Sequence, residues 1–469
     1  MNRQIFLFAF VPVGLAIFRL APPTVAAPLV ILSAALFLPE LTEFDAPLIP
    51  PINKHSVGTV VALLGCLWVA PSRLTRRFGA GPDWLIVALV VSALGTVLTN
   101  GEPAYTMGKR LDALGLRDAI SMGIQDLLMM GIPYYLGRCL IRTPRELRML
   151  FTVLVALGLV YGVAILYESR MSPQLHKMVY GLHPNNFSKV FRLGGYRPMV
   201  FMKSGLAVSI FMWTCTMAAF GLARARLPVL GLPSLPIAGA LTFLLLVCRS
   251  LGAMIYGVMT LPLVALTPRQ LAPVVILAFA ALLVAYPSTR FFDVAPTDAI
   301  HGAASKVNQD RADSLSFRWE NEDQIIARTL AKPFFGWGGY LRSRVNVETS
   351  EEIRAADGFW VIVLGQRGIV GLGLILTLLV WPQIRVARRL RRVTDRRAHA
   401  LMVTLSLMVA IRTLDMMPNG LYGVLPFFLA GALFGVTEWD AAPVRRRRPV
   451  AAPPPAQAPL RRDAARQAT

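Results

Sequence analysis

Long apolar runs recur through the whole sequence and constrain the fold more than any other feature. A helix needs roughly 17–25 apolar residues to cross a bilayer, and backbone groups in hydrocarbon must pair within their own segment. The runs are Ile5–Leu20, Val25–Leu38, Val57–Ala70, Trp84–Leu98, Ile120–Leu140, Leu147–Tyr167, Met199–Leu222, Leu235–Cys248, Ala253–Leu266, Leu271–Tyr286, Phe359–Trp381, Leu401–Leu414 and Leu421–Val436. They predict an all-α polytopic membrane protein with about 12–13 transmembrane helices.

The composition agrees with this class of protein. The chain is 55% hydrophobic and 16% charged, whereas soluble domains carry about 25% charged residues. The formal net charge of +22 arises from basic residues in short loops between the apolar runs and in the C-terminal segment. This distribution is typical of the positive-inside rule and provides no basic stripe on a folded face, so no nucleic acid is expected as a partner.

Arginine clusters predict the orientation. They are Arg73, Arg76 and Arg77; Arg138, Arg142, Arg145 and Arg148; Arg385–Arg397; and Arg445–Arg448. All four are cytoplasmic if the spans alternate, which places Asn100–Ala119, Glu168–Pro198 and the longest loop outside. The first run lacks a convincing cleavage site and is predicted to be retained. Counting back places the N-terminus outside, yet Arg3 prefers the inside. The alternative is that one of the first two runs is a re-entrant hairpin, which would give a cytoplasmic start with 12 spans.

Four regions follow from this layout. Residues 1–287 are predicted to form an N-terminal transmembrane bundle, and residues 288–357 one large periplasmic loop. Residues 358–437 return as transmembrane helices. Residues 438–469, rich in Ala, Pro and Arg, are predicted to form a disordered, basic cytoplasmic tail, because they cannot bury enough apolar area to fold. The long loop holds most of the candidate functional residues.

One stretch of the loop predicts an amphipathic helix on the outer surface. Its apolar face carries Leu315, Trp319, Ile326 and Leu330 at helical spacing. Ser314 is a plausible N-cap. Arg318 stands at the edge of this face. It could form an i,i+4 ion pair with Glu322, or it could bind an anionic group, since guanidinium grips phosphate through two parallel hydrogen bonds.

A glycine-rich aromatic turn, Pro333–Tyr340, follows the helix, and Asp357 precedes the next span. The glycines predict a tight turn with positive φ. Trp319, Trp337 and Tyr340 could form an interfacial belt or could stack on sugar rings. Asp357 could cap the next helix, or it could serve as a general base whose pKa is raised by partial burial.

Three further basic residues point to the same side of the membrane. Arg197 ends an external segment, Lys203 is expected about two turns into the following span, and Arg249 closes another run. Snorkelling or helix-end anchoring would explain them singly, but together they suggest a site for a diphosphate at the outer leaflet. A second pair, Arg412 and Asp415, is expected to form a structural ion pair.

No metal or other cofactor is predicted. His176 and His183 lack a third ligand with suitable spacing. The four cysteines show no CxxC spacing, so neither a zinc site nor a disulfide framework is expected.

The order of these motifs resembles the O-antigen ligase and O-antigen polymerase superfamily of bacterial envelopes. The resemblance covers Arg197–Val380. It rests on Arg318 in SFRWE, on the Pro333–Gly339 turn, on Gly365, Gly368 and Gly371 in LGQRGIVGLG, and on CRSLGA around Arg249, where arginine and serine are swapped relative to the family. Many ligases carry a histidine where this chain has Asp357, so both ligase and polymerase remain open.

The resemblance implies a multi-pass enzyme of the bacterial inner membrane. Such an enzyme moves a glycan from an undecaprenyl-diphosphate carrier to an acceptor hydroxyl, without a metal. In this chain Asp357 and Arg318 would be catalytic, Arg197, Lys203, Arg249 and Arg318 would bind the diphosphate, and Trp319, Trp337 and Tyr340 would bind the glycan. The expected partners are the lipid-linked glycan, a glycan or lipid acceptor, membrane lipids and other polysaccharide assembly proteins. A polysaccharide transporter or flippase is the main alternative, and a scaffold for glycan assembly is a third.

Overall fold

The computed structural model describes residues 3–45, 50–75, 79, 81–106, 109–184, 190–192, 194–306, 309–339, 341–344, 358–420 and 423–439. Residues up to Glu438 form one compact unit, and residues from Trp439 onward form a second unit. Apart from residues 438 and 439, the predicted basic tail lies outside the described residues.

Helices dominate the described residues. The first nine are α1 (Gln4–Leu20), α2 (Pro23–Phe37), α3 (Lys54–Val69), α4 (Pro71–Thr75), α5 (Asp83–Leu98), α6 (Leu116–Asp126), α7 (Ile132–Leu140), α8 (Pro144–Met171) and α9 (Leu175–Tyr180). The next nine are α10 (Gly205–Arg224), α11 (Ser234–Val247), α12 (Leu251–Leu266), α13 (Ala272–Phe291), α14 (Thr297–Ser305), α15 (Gln309–Thr329), α16 (Phe359–Leu390), α17 (Arg396–Met416) and α18 (Val424–Thr437). A π-helical turn, Leu127–Gly131, joins α6 to α7.

Two short antiparallel hairpins also occur in the described part of the chain. One pairs β1 (Ala104–Thr106) with β2 (Lys109–Leu111), and the other pairs β3 (Phe191–Arg192) with β4 (Gly195–Tyr196). Both hairpins lie in connections between long helices, so they do not build a sheet core.

Five of the described helices, α8, α10, α13, α16 and α17, are long and apolar enough to cross a membrane. Shorter apolar helices accompany them: α1, α2, α3, α5, α11, α12 and α18. The prediction of an all-α membrane protein is confirmed at this level. One predicted boundary is wrong, because α10 begins at Gly205 and not at Met199. Another is wrong at α15, which begins at Gln309, so Ser314 lies inside the helix and does not cap it.

The helices run between two ends of the bundle. The end that we call the loop end comprises the described residues within 38–53, 99–115, 172–204, 248–250, 292–358 and 417–423. Direct contacts connect these segments, for example the hydrogen bond from the Glu40 N–H to His176 Nε2 at 3.0 Å. The opposite end, the arginine end, comprises those within 70–82, 141–143, 225–233, 267–271 and 391–395. There, Arg269 donates to the carbonyl oxygen of Val393 at 2.6 Å.

The first two helices both extend from one end to the other. At the loop end, Gln4 donates to the carbonyl oxygen of Glu43 at 3.0 Å. At the arginine end, the Arg19 guanidinium lies over the Trp68 ring at 4.9 Å. Helix α1 therefore runs beside α3 along its length.

Small residues bring α7 and α18 into close contact. A Cβ at Gly137 would collide with the backbone of Phe428, and a Cβ at Gly431 would collide with the carbonyl of Tyr134. Glycine at these positions lets the two backbones approach, which is a common way for helices to associate in membranes. This contact anchors α18 in the bundle, and the connection between α17 and α18 lies at the loop end.

Candidate functional site

Helix α16 is broken at Gly368. Its φ of 65° and ψ of −168° fall in a region that essentially only glycine adopts. The break leaves carbonyl and N–H groups without partners in their own helix. Four backbone hydrogen bonds satisfy them: Trp337 N–H to Gly365 O at 2.9 Å, Gly338 N–H to Gln366 O at 3.0 Å, Ile369 N–H to Pro333 O at 2.8 Å, and Val370 N–H to Phe334 O at 3.1 Å.

The aromatic turn is thus inserted into the bundle between α16 and α5. From α5 and the residues after it, the Thr96 hydroxyl donates to the carbonyl of Phe335 at 2.8 Å, and the Asn100 amide donates to the carbonyl of Gly336 at 2.9 Å. The predicted positive φ is confirmed at Gly336 (67°) and Gly338 (84°). These hydrogen bonds hold the turn against α5 and α16.

Of the predicted glycan-binding aromatics, Trp337 is engaged inside the protein. The Trp337 indole donates to the carbonyl of Arg328 at 2.9 Å. The cations of Arg328 and Lys332 lie over its ring at 4.1 and 4.7 Å. Trp319 is half-buried, and its carbonyl oxygen accepts from Arg290 at 3.1 Å. Tyr340 lies outside the described residues. The glycan-binding role of these rings stays a prediction, and Trp337 offers little open face for it.

A buried carboxylate, Glu322, connects α15 to α13 and α16. It accepts from Arg290 Nε at 3.0 Å, from the Tyr286 hydroxyl at 3.1 Å and from Trp360 Nε1 at 3.0 Å. Arg290 also pairs with Asp323 at 2.6 Å. The i,i+4 pair of Arg318 with Glu322 therefore gives way to a long-range pair with Arg290, because the carboxylate points into the bundle.

Arg318 lies at the neighbouring edge of α15, where the chain returns from α17. One terminal nitrogen is 3.5 Å from the carbonyl oxygen of Pro418. It is close enough to Asp415 for an electrostatic interaction. Asp357, the proposed base, lies outside the described residues. The adjacent Gly358 rests against Met417, and a Cβ on it would be 2.8 Å from the Met417 carbonyl oxygen. Arg318 and the start of α16 thus meet over residues 417–418.

Arg197 and Arg249 come together beside the start of α10. Arg197 donates to the Ser250 hydroxyl at 3.0 Å, and the Arg249 guanidinium lies over Gly195 of β4. Burial, and then the charge of Arg192, lower the pKa of Arg197. The structure thus brings these two residues together, and neither of them lines the loop-end cavity described below.

Lys203 occupies a different position from the one that the sequence indicated. It precedes α10 and is exposed, so it is not two turns inside a span. The chain before α10 is held by Glu168, which accepts from the backbone N–H groups of Met199 (2.8 Å) and Val200 (2.7 Å). These contacts keep residues 199–204 out of the helix and turn Lys203 towards a cavity.

The cavity lies at the loop end between α2, α3, α10, α17 and α18, with a volume of about 520 Å³. Its polar wall comprises Glu40, Glu43, Asn53, Lys54, His55, Ser56, Gln125, Lys203 and Arg412. Its apolar wall includes Leu36, Met129, Ile210 and Phe211. This volume lies within the range of small-molecule sites. Arg197, Arg249 and Arg318 are not among the residues that line this cavity. Arg318 contacts Pro418, however, and Gly420, two residues later, is a lining residue at what we call the rim of the cavity.

Arg412 is a buried charge in the cavity wall, and Asp415 on the same helix interacts with it electrostatically. It is 9% exposed, and its guanidinium donates to the Thr214 hydroxyl at 3.1 Å and lies 3.5 Å from the carbonyl oxygen of Ile210. Its Nε is buried and has no hydrogen-bond partner among the described residues. The expected ion pair with Asp415 does not form within the described chain; Asp415 instead accepts from Asn419 at 3.2 Å.

Lys54 is the second buried cation of the wall and it does have a carboxylate partner. It pairs with Glu40 at 2.6 Å and donates to the carbonyl of Phe201 at 3.1 Å. The backbone N–H of Glu40 in turn donates to His176 Nε2 at 3.0 Å, and His176 Nδ1 lies 2.6 Å from the carbonyl of Leu182. Burial lowers the pKa of His176, and the bond to Leu182 opposes this effect. His176 therefore acts as a structural link behind the cavity wall.

Sequence reasoning missed Lys54 and His55 and assigned Arg412 to a different partner. A signal for Arg412 was present, because an arginine within an apolar run is costly and is a functional-site candidate by default. Lys54 and His55 begin a run that is otherwise apolar. They are part of a candidate site only because Glu40 and Lys203 line the same cavity. That arrangement follows only from how α2, α3 and α10 pack.

No group of three or more possible metal ligands occurs among the described residues. His183 Nε2 lies 2.9 Å from the carbonyl of Pro173, so it is engaged separately from His176. No protein-family model matches the chain, and no curated protein matches its sequence.

Proposed function

We propose that this protein is an inner-membrane enzyme that transfers a glycan from an undecaprenyl-diphosphate carrier to an acceptor hydroxyl. In this proposal the loop end faces the periplasm, the arginine end faces the cytoplasm, and each of thirteen helical passes crosses the bilayer. The observation that carries the proposal is the loop-end cavity, in which Lys203 and the buried Arg412 both line the wall and the Nε of Arg412 has no hydrogen-bond partner among the described residues.

An unpaired cation in a protein interior costs free energy unless an anion compensates it. A diphosphate would supply that anion, since guanidinium and ammonium groups both bind phosphate oxygens through charge-assisted hydrogen bonds. Arg412 would hold the diphosphate from the cavity floor, and Lys203 and Lys54 would hold it from the walls. Arg318 would contact it at the rim.

The chemistry is a displacement at the anomeric carbon. The acceptor oxygen forms a new bond to that carbon, the bond from the carbon to the diphosphate oxygen breaks, and the electron pair leaves with the undecaprenyl diphosphate. The acceptor proton passes to a base, for which Asp357 is our candidate. Preorganised cations at the departing oxygens stabilise the charge that develops there, which is often the largest single contribution to such a rate. Breaking the diphosphate ester bond supplies the driving force, so no nucleotide is required.

Arg197 and Arg249 receive a secondary role in this proposal. They lie at the same end of the bundle and contact Ser250 and Gly195. We assign them to the approach of the anionic substrate, where charges attract a ligand without touching the reacting atoms. Their replacement should therefore affect substrate capture more than the chemical step.

A transporter is the second candidate, and one observation favours it. At the break in α16, buried Arg367 pairs with buried Asp126 at 2.7 Å and donates to the carbonyl of Met122 at 3.2 Å. Asp126 directly precedes the π-helical turn. Broken helices and paired ionisable residues within the membrane are common at transporter sites. The inserted turn satisfies the backbone at this break, however, which favours a structural role for it.

A binding experiment with inorganic pyrophosphate tests the enzyme proposal. Purified full-length protein in nanodiscs should bind pyrophosphate, and Arg412→Gln should weaken the binding about 10- to 100-fold, because a hydrogen bond to a charged group contributes about 1.5–3 kcal/mol. Arg170→Gln, which replaces an exposed arginine in the last turn of α8 outside the cavity, is the control and should change the affinity little. Equal affinity for the wild-type protein and Arg412→Gln would eliminate the cavity as the diphosphate site.

A cellular experiment tests the reaction itself. Arg318→Ala and Asp357→Ala should insert normally and should accumulate lipid-linked glycan. Full polymer or ligated product in both variants would contradict the enzyme proposal. In a deletion strain, shortened glycan chains would identify a polymerase, and loss of attachment to lipid A would identify a ligase. Proton- or sodium-coupled flux in proteoliposomes would instead support the transporter.

A further inference from the structure

An apolar groove runs along the bundle between α13 and α16. It has a volume of about 490 Å³ and is lined mainly by aliphatic and aromatic side chains, among them Val284, Leu364, Leu372, Leu376 and Val380. Only 33% of the most apolar stretch of α13 is buried inside the protein, so much of the surface of this helix faces outward. In a membrane protein, that outward surface meets hydrocarbon.

The groove offers no free hydrogen-bonding group from its own hydroxyls. The Ser288 hydroxyl donates to the carbonyl of Val284 at 2.8 Å, and the Thr377 hydroxyl donates to the carbonyl of Gly373 at 2.6 Å. A polar occupant would lose its own hydrogen bonds with water and gain few in return. The occupant must therefore be hydrocarbon.

The dimensions of the groove select among hydrocarbon chains. Its lining on α16 extends from Trp360 to Ile384, which at about 1.5 Å per residue is more than 30 Å of helix. This matches the roughly 30 Å thickness of the whole hydrocarbon core. An acyl chain of one leaflet covers about half of that length. A volume of about 490 Å³ spread over this length leaves the width of a single chain, so one chain longer than an ordinary acyl tail fits best.

The loop-end terminus of the groove lies next to the proposed headgroup site. Trp360 lines the groove, and Gly358, two residues before it, rests against the carbonyl of Met417. Arg318 contacts the next carbonyl, that of Pro418, and Gly420 forms part of the cavity rim. A lipid whose chain lies in the groove could therefore place an anionic head at Arg318 and extend it into the cavity.

We propose that the groove between α13 and α16 binds the long isoprenoid chain of the lipid diphosphate on which the protein acts. This proposal rests on the proposed function for the identity of the lipid, and it adds the site of the lipid's chain. Chain binding in the groove holds the reacting end of the lipid at the rim, which reduces the entropy lost when the headgroup enters the cavity.

Gly373 provides a direct test. A Cβ built on it meets no heavy atom within 4 Å among the described residues, so a side chain can leave the helix here, and Gly373 lines the groove. Gly239 on α11 has the same open surroundings and is exposed, but it lies outside the groove. Gly373→Phe and Gly239→Phe are thus a matched pair, one of which fills the groove.

The experiment uses full-length protein in nanodiscs and a photoactivatable polyprenyl phosphate of about eleven isoprene units. Crosslinks should map to α13 and α16, and Gly373→Phe should reduce them at least fivefold, whereas Gly239→Phe should leave them unchanged. A diazirine-labelled phospholipid serves as the competitor. Equal labelling of the groove by the phospholipid, or undiminished labelling of Gly373→Phe, would overturn the proposal.

Pyrophosphate binding separates this proposal from the proposed function. It should be the same in Gly373→Phe and in the wild-type protein, because the groove and the cavity have no lining residue in common. Loss of isoprenoid labelling with intact pyrophosphate binding supports the groove. Intact pyrophosphate binding with labelling that is insensitive to Gly373→Phe refutes the groove alone.

Discussion

Replacement of Glu322 by alanine would remove the centre of the contacts that hold α15 on the bundle. The carboxylate is 3% exposed and accepts from Arg290, Tyr286 and Trp360 at 3.0–3.2 Å. In the variant, Tyr286 and Trp360 lose a buried acceptor, and Arg290 keeps only the carboxylate of Asp323, whose side chain is 58% exposed, and the carbonyl of Trp319.

The expected cost follows from burial. Removal of one partner from a buried ion pair typically costs about 3–5 kcal/mol, because the other charge remains in the interior. The loss falls on the docking of α15, since the carboxylate belongs to that helix and its partners belong to α13 and α16. Each 1.4 kcal/mol is a factor of ten, so amide exchange in α15 should accelerate roughly a hundredfold to a few thousandfold.

Hydrogen exchange of the full-length protein in nanodiscs, resolved by peptide, measures this effect. Glu320→Ala is the control, because it removes an exposed carboxylate two residues away on the same helix. The double variant Arg290→Met with Glu322→Leu should recover most of the loss, since apolar residues of similar size often replace a buried pair at little cost. If Glu322→Ala exchanges like Glu320→Ala, the carboxylate does not hold α15 and the reasoning fails.

Two further predictions concern backbone geometry and pH. Gly368→Ala should lower the thermal midpoint, because the glycine conformation costs alanine about 1–3 kcal/mol and its Cβ would strike the carbonyl of Phe334. The control Gly373→Ala, in open helix surroundings, should be neutral or should stabilise the protein by up to about 1 kcal/mol. An equal loss of stability in both variants would contradict this account. Burial lowers the pKa of His176, so its contribution to stability is present above the ordinary value of about 6.5 and is lost as the pH falls through that value towards the lowered one. Relative to the intrinsic exchange rate at each pH, the protection of residues 172–182 should therefore fall from pH 7.5 to pH 5 in the wild-type protein, as protonation breaks the bond from the Glu40 N–H. It should be less sensitive to pH in His176→Asn, and a wild-type profile as flat as that of the variant would refute the link.

Much of the architecture could be predicted from the sequence. The apolar runs predict the helices because burial in hydrocarbon leaves a segment no other way to pair its backbone. The described members of the three internal arginine clusters lie towards one end of the bundle, as the positive-inside rule indicates. The glycine turn after Pro333 also has the positive φ that its composition requires.

The candidate site could be predicted less well, because its residues interact across long stretches of sequence. Arg318 and Glu322 have ideal spacing for a local ion pair, yet Glu322 binds Arg290 from α13. Arg412 and Asp415 are three residues apart, yet Arg412 donates to Thr214 from α10. Local pairs contribute only about 0.2–0.5 kcal/mol, so the burial of the charge decides which partner it takes.

The sequence by itself determined which segments are helices, which ends carry arginine and where a backbone needs glycine, since each of these depends on neighbouring residues and on the solvent around them. Only the tertiary structure decided that the aromatic turn fills the break at Gly368, and that Lys203 and Arg412 share a cavity. These features depend on which helices are neighbours. That choice is made by the fit of whole surfaces, through many small contacts that no short stretch of sequence contains.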